Sequence, residues 1–251
     1  MDLNGKRFGI YIPLGYPDPN RFQEFVGIAS EYIDLIEIGI PTEKPLYDGP
    51  AIRRAHREII GKGFHRISIS EYGLLGNIKC DKVALAYYSD VRGVLKRFVR
   101  DISDLGFKCL LTPDLLIEYP EDLEVYLKVS TDHDLKPCFF ISTKFPYALV
   151  KSLLNYEPYM LYLGLQASTG TNLPIQVLRN IAIAKSLLEG RAPLAVGFGI
   201  NSVERLVAIL AGGADIAIVG TEVVKRISRD VDEALSFVVD VYSILRGGFD
   251  G

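Results

Sequence analysis

The hydrophobic residues of this chain fall into short apolar runs, separated by longer stretches in which apolar and polar positions recur with helical spacing. The short runs are rich in Ile, Val, Leu and Tyr, and most lack the period of two that marks a strand with one solvated face. This pattern predicts parallel strands that are covered on both faces. The predicted strands are Phe8–Pro13, Leu35–Ile40, Val83–Tyr88, Cys109–Leu111, Pro137–Ile141, Met160–Leu165, Leu194–Val196 and Ile216–Val219.

The amphipathic stretches between these runs predict helices, and a last helix follows the final strand. They include Asn20–Ser30, Ala51–Gly61, Val91–Leu105, Glu121–Thr131, Ile175–Leu188, Val203–Ala211 and Val231–Leu245. The segment His65–Asp81 fits either a short helix or an irregular connection.

Eight successive strand–helix units predict an α/β fold, a single (β/α)8 barrel domain over residues 1–251. Each parallel crossover is right-handed, and eight of them close a barrel of about this length. The alternative is a doubly wound open sheet, which usually carries a glycine-rich fingerprint after its first strand. Here the first strand is followed by the turn Leu14–Pro19, which lacks that fingerprint.

The composition narrows the class of protein. With 49% hydrophobic and 24% charged residues, the chain is expected to be globular, and a net charge of −3 gives no sign of nucleic-acid binding. Three cysteines without CxxC spacing fit neither a disulfide framework nor a zinc site, so no metal is expected. The polar N-terminus lacks a signal-peptide pattern and no apolar run is long enough to span a membrane, which favours a cytoplasmic protein.

Two carboxylates near the end of the second predicted strand are the first candidates for chemistry, because barrel active sites lie at the carboxyl ends of the strands. Glu37 lies inside an apolar strand, where burial raises a carboxyl pKa and suits it to acid–base catalysis. The alternative is a structural ion pair with a lysine or arginine of the barrel. Asp48 lies in the stiff loop Pro41–Pro50, and its alternative role is to cap the helix that starts near Ala51.

Glycines at three late strand ends predict a phosphate site. They occur in Ser168–Thr171, Val196–Asn201 and Val219–Glu222, the last two after the seventh and eighth strands. Glycines there let backbone amides approach an anion, and the N-terminus of a following helix adds a favourable dipole. The alternative is that they only form tight turns.

These motifs resemble the tryptophan synthase alpha-subunit family. The run from Ile36 to Pro41 and the run Pro45–Pro50 are similar to the family pattern "ELGVP…PLADGP", with matching spacing between Glu37 and Asp48. Further resemblances lie in Gly15–Pro19, in Thr169 and Gly170 at the end of the sixth loop, and in the two late phosphate-loop motifs Gly197–Ile200 and Val219–Thr221.

Departures from the family pattern accompany this resemblance, among them a short connection before Val83. Thr42-Glu43-Lys44 stands where the family usually has Phe-Ser-Asp, beside the partner interface. The N-terminal helix that covers the barrel floor in the family is reduced. The sixth loop aligns with a one-residue ambiguity, so Tyr162 is only a candidate for the family's loop-6 tyrosine.

The resemblance implies a lyase of tryptophan biosynthesis that splits indole-3-glycerol phosphate into indole and glyceraldehyde 3-phosphate by a retro-aldol reaction, without metal or cofactor. It implies that Glu37 moves the proton and that Asp48 stabilises the charged indole N–H. The implied phosphate ligands are Gly170, Gly199, Gly220 and Thr221, with Thr169 and Tyr162 as further substrate contacts.

The implied partner is a pyridoxal-phosphate beta subunit in an alpha2beta2 heterotetramer. Two other functions remain open. One is another phosphate-binding barrel enzyme, which would need a lysine or a second acid that is not evident here. The other is a non-catalytic activator of a beta subunit, against which both intact carboxylates argue.

Overall fold

Eight parallel strands close on themselves, β1 pairing with β8, in the order of the sequence. The computed structural model describes residues 3–64, 73–142, 144–164, 175–197 and 199–247. The strands are β1 Arg7–Pro13, β2 Leu35–Gly39, β3 Asp81–Leu85, β4 Phe107–Leu111, β5 Lys136–Ser142, β6 Met160–Gly164, β7 Leu194–Val196 and β8 Ile216–Val219. The predicted barrel is therefore confirmed, and the open sheet is excluded.

Helices surround the barrel on its outer side. They are α1 Pro19–Ala29, α2 Pro50–Gly61, α3 Tyr88–Val91, α4 Leu95–Asp104, α5 Leu115–Glu118, α6 Leu123–Thr131, α7 Tyr147–Leu153, α8 Ile175–Leu188, α9 Val203–Ala211, α10 Thr221–Arg229 and α11 Val231–Arg246. Short 3-10 turns lie at Arg92–Val94, Pro120–Asp122 and Leu154–Tyr156. Within the described residues, none of these helices is long and apolar enough to cross a membrane.

The structure corrects the predicted end of the third strand and describes part of the segment His65–Asp81. The third strand ends at Leu85, and Tyr88 begins α3 instead of ending the strand. The reason is a contact distant in sequence, since the Asp114 carboxylate accepts hydrogen bonds from the amides of Tyr88 at 2.6 Å and Ser89 at 3.0 Å. Of the segment His65–Asp81, residues 65–72 lie outside the described residues, and residues 73–80 form an irregular connection before β3.

The core has two layers because successive strand residues point to opposite faces. Leu35 of β2 belongs to the inner cluster, whereas Ile36 and Ile38 pack outward against the helices. The remaining inner cluster includes Val83, Cys109, Cys138, Met160, Ala195, Ile216 and Ile218. The inner side chains thus fill the barrel and leave its carboxyl end to carry polar groups.

A polar network lies at the amino ends of the strands, where the family has its covering helix. Among the described residues before β1, residues 3–6 contain only a turn. Arg7 donates to Asp81 Oδ2 at 2.9 Å and to the Tyr159 hydroxyl at 3.0 Å, and this hydroxyl donates to Asp81 at 2.6 Å. These three side chains pair with one another across the floor of the barrel.

Candidate active site

Glu37 lies on the inner face of β2 and is 1% exposed. In the sheet it is paired with Tyr11 of β1 on one side and with Val83 of β3 on the other. Its Oε1 atom has no hydrogen-bond partner among the described residues, and no described cation acts on its pKa. The structural ion pair, the alternative reading of this residue, is therefore not found in the described part of the chain.

The surroundings of Glu37 hold its proton at neutral pH. Burial, and secondarily the negative charge of Asp48, raise the pKa of Glu37 to about 8. A carboxyl group with this pKa carries a proton at pH 7 and can release it to a substrate. Such a shift in a barrel mouth is typical of a catalytic acid–base group.

Asp48 lies just before α2, but it does not cap that helix. The N-cap of α2 is Gly49, which makes no side-chain capping bond. Instead, Oδ2 of Asp48 accepts a hydrogen bond from the Tyr87 hydroxyl at 2.9 Å. The capping alternative for Asp48 is therefore wrong.

Two opposing effects set the charge of Asp48. Burial raises the pKa of Asp48 to about 6, while the hydrogen bond from Tyr87 and the nearby Arg53 limit the rise. The two carboxyls of the site thus have different protonation states at pH 7, with Glu37 neutral and Asp48 ionised. A pair of acids separated in this way can carry two different tasks in one reaction.

Tyr11 and His56 also belong to this site, and the sequence interpretation missed both. The Tyr11 hydroxyl lies 3.0 Å from Nε2 of His56, and the same nitrogen lies 3.9 Å from Oδ2 of Asp48. Burial lowers the pKa of His56 to about 4, so the imidazole is neutral at pH 7. His56 lies on the buried face of α2 with Ala55 and Ile59. This helical spacing, visible in the sequence, could have indicated that His56 is buried.

Tyr162 is on the inner face of β6 and stands among the same groups. Burial, followed by the charges of Glu37 and Asp48, raises the pKa of its hydroxyl. Its ring packs against Phe140 of β5 with centroids 5.9 Å apart. A side chain at position 197 would overlap the Tyr162 hydroxyl, so Gly197 leaves the room that this tyrosine occupies.

The late glycines meet the site at the ends of β7 and β8. Gly220 precedes α10, and a Cβ atom there would lie 3.3 Å from Cβ of Tyr11, the strand neighbour of Glu37. Gly199 has a φ of +73°, a conformation that favours glycine. Thr169 and Gly170 lie outside the described residues.

The two helices after these glycines differ at their N-termini. Ser202 caps α9 by accepting from the amide of Arg205, whereas Gly220 offers α10 no side-chain cap. Thr221 is exposed at the first position of α10. The amides of α10 are therefore the better placed of the two sets to receive an anion.

Comparison with known proteins identifies the family of this chain. The family model described as "Tryptophan synthase alpha chain" matches residues 1–247. The tryptophan synthase alpha chain of Saccharolobus solfataricus is 32% identical over 247 residues, covering 96% of this chain and 97% of the relative. That of Sulfurisphaera tokodaii is 29% identical, covering 94% of this chain and 96% of the relative.

Solved structures agree with the fold. A mutant tryptophan synthase alpha-subunit from Pyrococcus furiosus aligns with a TM-score of 0.84 at 24% identity, covering 97% of this chain and 98% of the other. A tryptophan synthase from Mycobacterium tuberculosis aligns with a TM-score of 0.84 at 23% identity, covering 98% and 95%. The family match over the whole barrel and the 32% identical relative show that this chain belongs to the tryptophan synthase alpha chain family.

Proposed function

We propose that Glu37 and Asp48 are the catalytic groups with which this chain, a lyase of the tryptophan synthase alpha family, cleaves indole-3-glycerol phosphate into indole and glyceraldehyde 3-phosphate. The observation that carries this proposal is the pair of carboxyls at the barrel mouth, whose pKa values of about 8 and about 6 lie on either side of neutrality. The neutral acid can donate a proton, and the anion can stabilise positive charge.

Glu37 serves both proton transfers of the retro-aldol reaction. Its carboxyl donates a proton to C3 of the indole, which turns the ring into an electron acceptor. The hydroxyl on the carbon attached to C3 then gives its proton to the Glu37 carboxylate, while the electrons of the breaking C–C bond return to the ring. The products are indole and the aldehyde, and Glu37 is again protonated. One buried acid therefore suffices, and neither redox change nor a cofactor enters this balance.

Asp48 stabilises the intermediate in which the indole nitrogen is positively charged. An anion placed near the N–H before the reaction begins lowers the barrier because it needs no reorganisation as charge develops. The hydrogen bond from Tyr87 fixes Oδ2, at 2.9 Å, and leaves Oδ1 to receive the indole N–H. Aromatic surface around this position is supplied by Tyr87, which bonds to Asp48, and by the inward-facing Tyr11, Phe140 and Tyr162.

The phosphate of the substrate is proposed to bind at Gly199, Gly220 and Thr221, with Gly170 and Thr169 as further ligands. The N-terminus of α10, whose N-cap residue is Gly220 and which has no side-chain cap, supports this assignment. Gly220 packs against Tyr11, which is the neighbour of Glu37 in the sheet. A phosphate bound at Gly220 would therefore hold the reacting carbon near Glu37.

The proposed reaction is tested by adding indole-3-glycerol phosphate to the isolated chain at pH 7. Indole and glyceraldehyde 3-phosphate should appear in equal amounts, as measured by chromatography and an aldehyde assay. A chain that only activates a beta subunit would release no indole alone. Release of a different product would favour another phosphate-binding barrel enzyme.

Replacing Gly220 by valine should raise KM at least about tenfold with a smaller effect on kcat. The new side chain would meet Tyr11 at 3.3 Å and Ile52 at 3.5 Å, and it would hinder the approach of a phosphate to the α10 amides. Gly93→Val is the matched control, because nothing lies near the position of its Cβ atom. An unchanged KM in Gly220→Val, or phosphate density elsewhere in a soaked crystal, would place the anion site elsewhere.

The rate should depend on pH with a maximum between about 6 and about 8 in kcat/KM. Below this window Asp48 gains a proton and loses its charge, and above it Glu37 loses the proton it must donate. The phosphate ester of the substrate also titrates near pH 6. The fall in kcat/KM at acid pH is therefore assigned to Asp48 only if the residual activity of Asp48→Asn shows a different pH dependence in this range. A rate that does not fall between pH 7 and 9.5 would contradict the role of Glu37 as the acid.

The cognate beta subunit is proposed to dock on the carboxyl face of the barrel and to form an alpha2beta2 heterotetramer. Leu46, in the loop before Asp48, exposes 56% of its surface there, and Glu43 and Lys44 are exposed beside it. The family pattern has an aromatic residue where this chain has Thr42, which is 1% exposed and accepts a hydrogen bond from the Lys44 amide. The exposed surface of the loop is therefore formed by Glu43, Lys44 and Leu46, and we infer that the cognate beta subunit, and not a foreign one, matches it.

Mixing this chain with its own beta subunit should raise both the mass of the complex and the rate of indole formation. Leu46→Ser should weaken the association about tenfold, because an apolar contact is lost at the proposed interface. Val125→Ser on α6 is the matched control, since Val125 is 52% exposed on a different surface. Unchanged mass and rate on mixing would mean that this barrel acts alone.

A further inference from the structure

Tyr47, the residue before Asp48, is hydrogen-bonded through its backbone amide to Tyr87, the tyrosine that holds Asp48. The Tyr47 amide donates to the Tyr87 hydroxyl at 2.9 Å, and this hydroxyl donates to Oδ2 of Asp48 at 2.9 Å. The two tyrosine rings are nearly parallel, at 8°, with centroids 6.2 Å apart. A hydroxyl has a single proton to donate, so the amide of Tyr47 directs that proton to Asp48.

The other side of Tyr47 reaches across the barrel mouth. Its hydroxyl donates to Oε1 of Glu118 on α5 at 3.0 Å. Its ring also lies 6.1 Å from the ring of Phe140, which points inward from β5. Tyr47 thus connects the Asp48 loop with groups that follow β3 and β4 and with β5 itself.

A second set of bonds holds the same loop from α2. The Arg53 side chain donates to the carbonyl of Asp48 at 2.7 Å and to the carbonyl of Leu46 at 2.8 Å. The carbonyls on both sides of Tyr47 are therefore fixed, and the direction of its side chain is set by the loop. The Tyr47–Glu118 bond is exposed and can open without unfolding the loop.

We infer that Tyr47 is a positioning residue that latches the Asp48 loop across the barrel mouth, so that Asp48 faces the substrate in the isolated chain. This inference rests on the proposed function of Asp48. It concerns a position where the family pattern quoted above has alanine. A residue that only filled space would not place its hydroxyl on Glu118 and lay its ring parallel to that of Tyr87.

The variants Tyr47→Ala and Tyr47→Phe test the latch. Tyr47→Ala should lower kcat of the isolated chain about tenfold with KM changed much less, because Asp48 is less often in place. Tyr47→Phe keeps the ring contacts and loses only the bond to Glu118, so it should lower kcat by a smaller factor, about threefold. Tyr156→Phe is the matched control, since Tyr156 also donates to an exposed glutamate, Glu124, away from the mouth.

The second readout is the titration of the Asp48 carboxyl, followed by carbon-13 NMR and assigned by its loss in Asp48→Asn. The titratable groups around it are Glu37 from β2, Tyr87 after β3, His56 and Arg53 from α2, Tyr11 from β1 and Tyr162 from β6. Tyr47→Ala keeps the backbone amide but removes the ring that packs against Tyr87 and the bond to Glu118, so the loop should bring Asp48 to the Tyr87 hydroxyl less often. Because the hydrogen bond from Tyr87 lowers the pKa of Asp48, the Asp48 midpoint should move upward from about 6.

This titration needs no turnover and so separates the latch from the proposed function. If the wild-type chain releases no indole but the midpoint still moves in Tyr47→Ala, the latch stands and the function fails. If the wild type is active and Tyr47→Ala keeps both its kcat and its Asp48 midpoint, the latch is overturned. Should Tyr47→Ala not fold, Tyr47→Phe and Glu118→Ala decide, because each removes the bond across the mouth. A latch requires both variants to lower kcat by a similar factor, and wild-type kcat in both would overturn it.

Discussion

Glu37→Gln is expected to lower kcat by about a hundredfold or more, while indole-3-glycerol phosphate still binds. The amide keeps the shape of the side chain on the inner face of β2, but it can neither donate a proton to C3 of the indole nor accept one from the hydroxyl. The measurement is kcat from indole release, with substrate affinity determined separately by equilibrium binding. Turnover near that of the wild type would remove Glu37 from the mechanism.

The same variant should be more stable than the wild type at alkaline pH. Glu37 has its pKa raised by the fold to about 8, so folding disfavours its ionised form. The wild type therefore loses stability as the pH rises from the unfolded-state pKa through about 8, and the glutamine variant does not. At pH 9 its melting temperature should be higher by about 3 °C or more. Lost activity with gained stability would distinguish a catalytic role from a structural one, and Glu31→Gln, on the exposed surface, should change neither.

Asp48→Asn is expected to lower kcat by a similar order, about a hundredfold. The amide oxygen can still accept from the Tyr87 hydroxyl, so the loop should keep its position. What is lost is the negative charge that faces the indole N–H when the ring is protonated. The measurements are kcat, KM and the melting temperature of the isolated chain.

A true helix cap provides the control for Asp48. Asp230 caps α11, because its carboxylate accepts from the amides of Asp232 at 2.8 Å and Glu233 at 3.1 Å. Asp230→Ala should lower stability by about 1 kcal/mol and leave kcat unchanged. Asp48→Asn should do the reverse. If Asp48→Asn instead lowered the melting temperature and left kcat unchanged, Asp48 would have a structural role and not a catalytic one.

The strands of the barrel could be predicted closely because each is a short apolar run covered on both faces. The predicted Leu194–Val196 and Ile216–Val219 agree with the structure, and the others differ mainly at their ends. The end of β3 could not be predicted, since it depends on the carboxylate of Asp114, 26 residues from Tyr88 along the chain. Helices α7 and α10 were not among the predicted stretches, although the apolar Val223, Val224 and Ile227 of α10 have helical spacing.

The residues of the site also differ in how far the sequence alone could predict them. Glu37 and Asp48 could be proposed from the sequence, because an acid within an apolar strand and a proline-rich loop are both visible in the local sequence. Tyr87, Tyr11 and His56 could not, because their contacts with the carboxylates exist only after the barrel closes. The phosphate glycines Gly199 and Gly220 remain a prediction that is supported by the open N-terminus of α10.

We expect Glu37 to hold its proton at neutral pH while Asp48 is ionised. The most direct measurement is a pH titration of the chain labelled with carbon-13 at its glutamate and aspartate carboxyls, with the Glu37 resonance assigned by its absence in Glu37→Gln. We expect a midpoint near 8 for Glu37 and near 6 for Asp48. A Glu37 midpoint close to that of an exposed glutamate, about 4.3, would contradict this expectation, because the site would then have no acid to protonate the indole at pH 7.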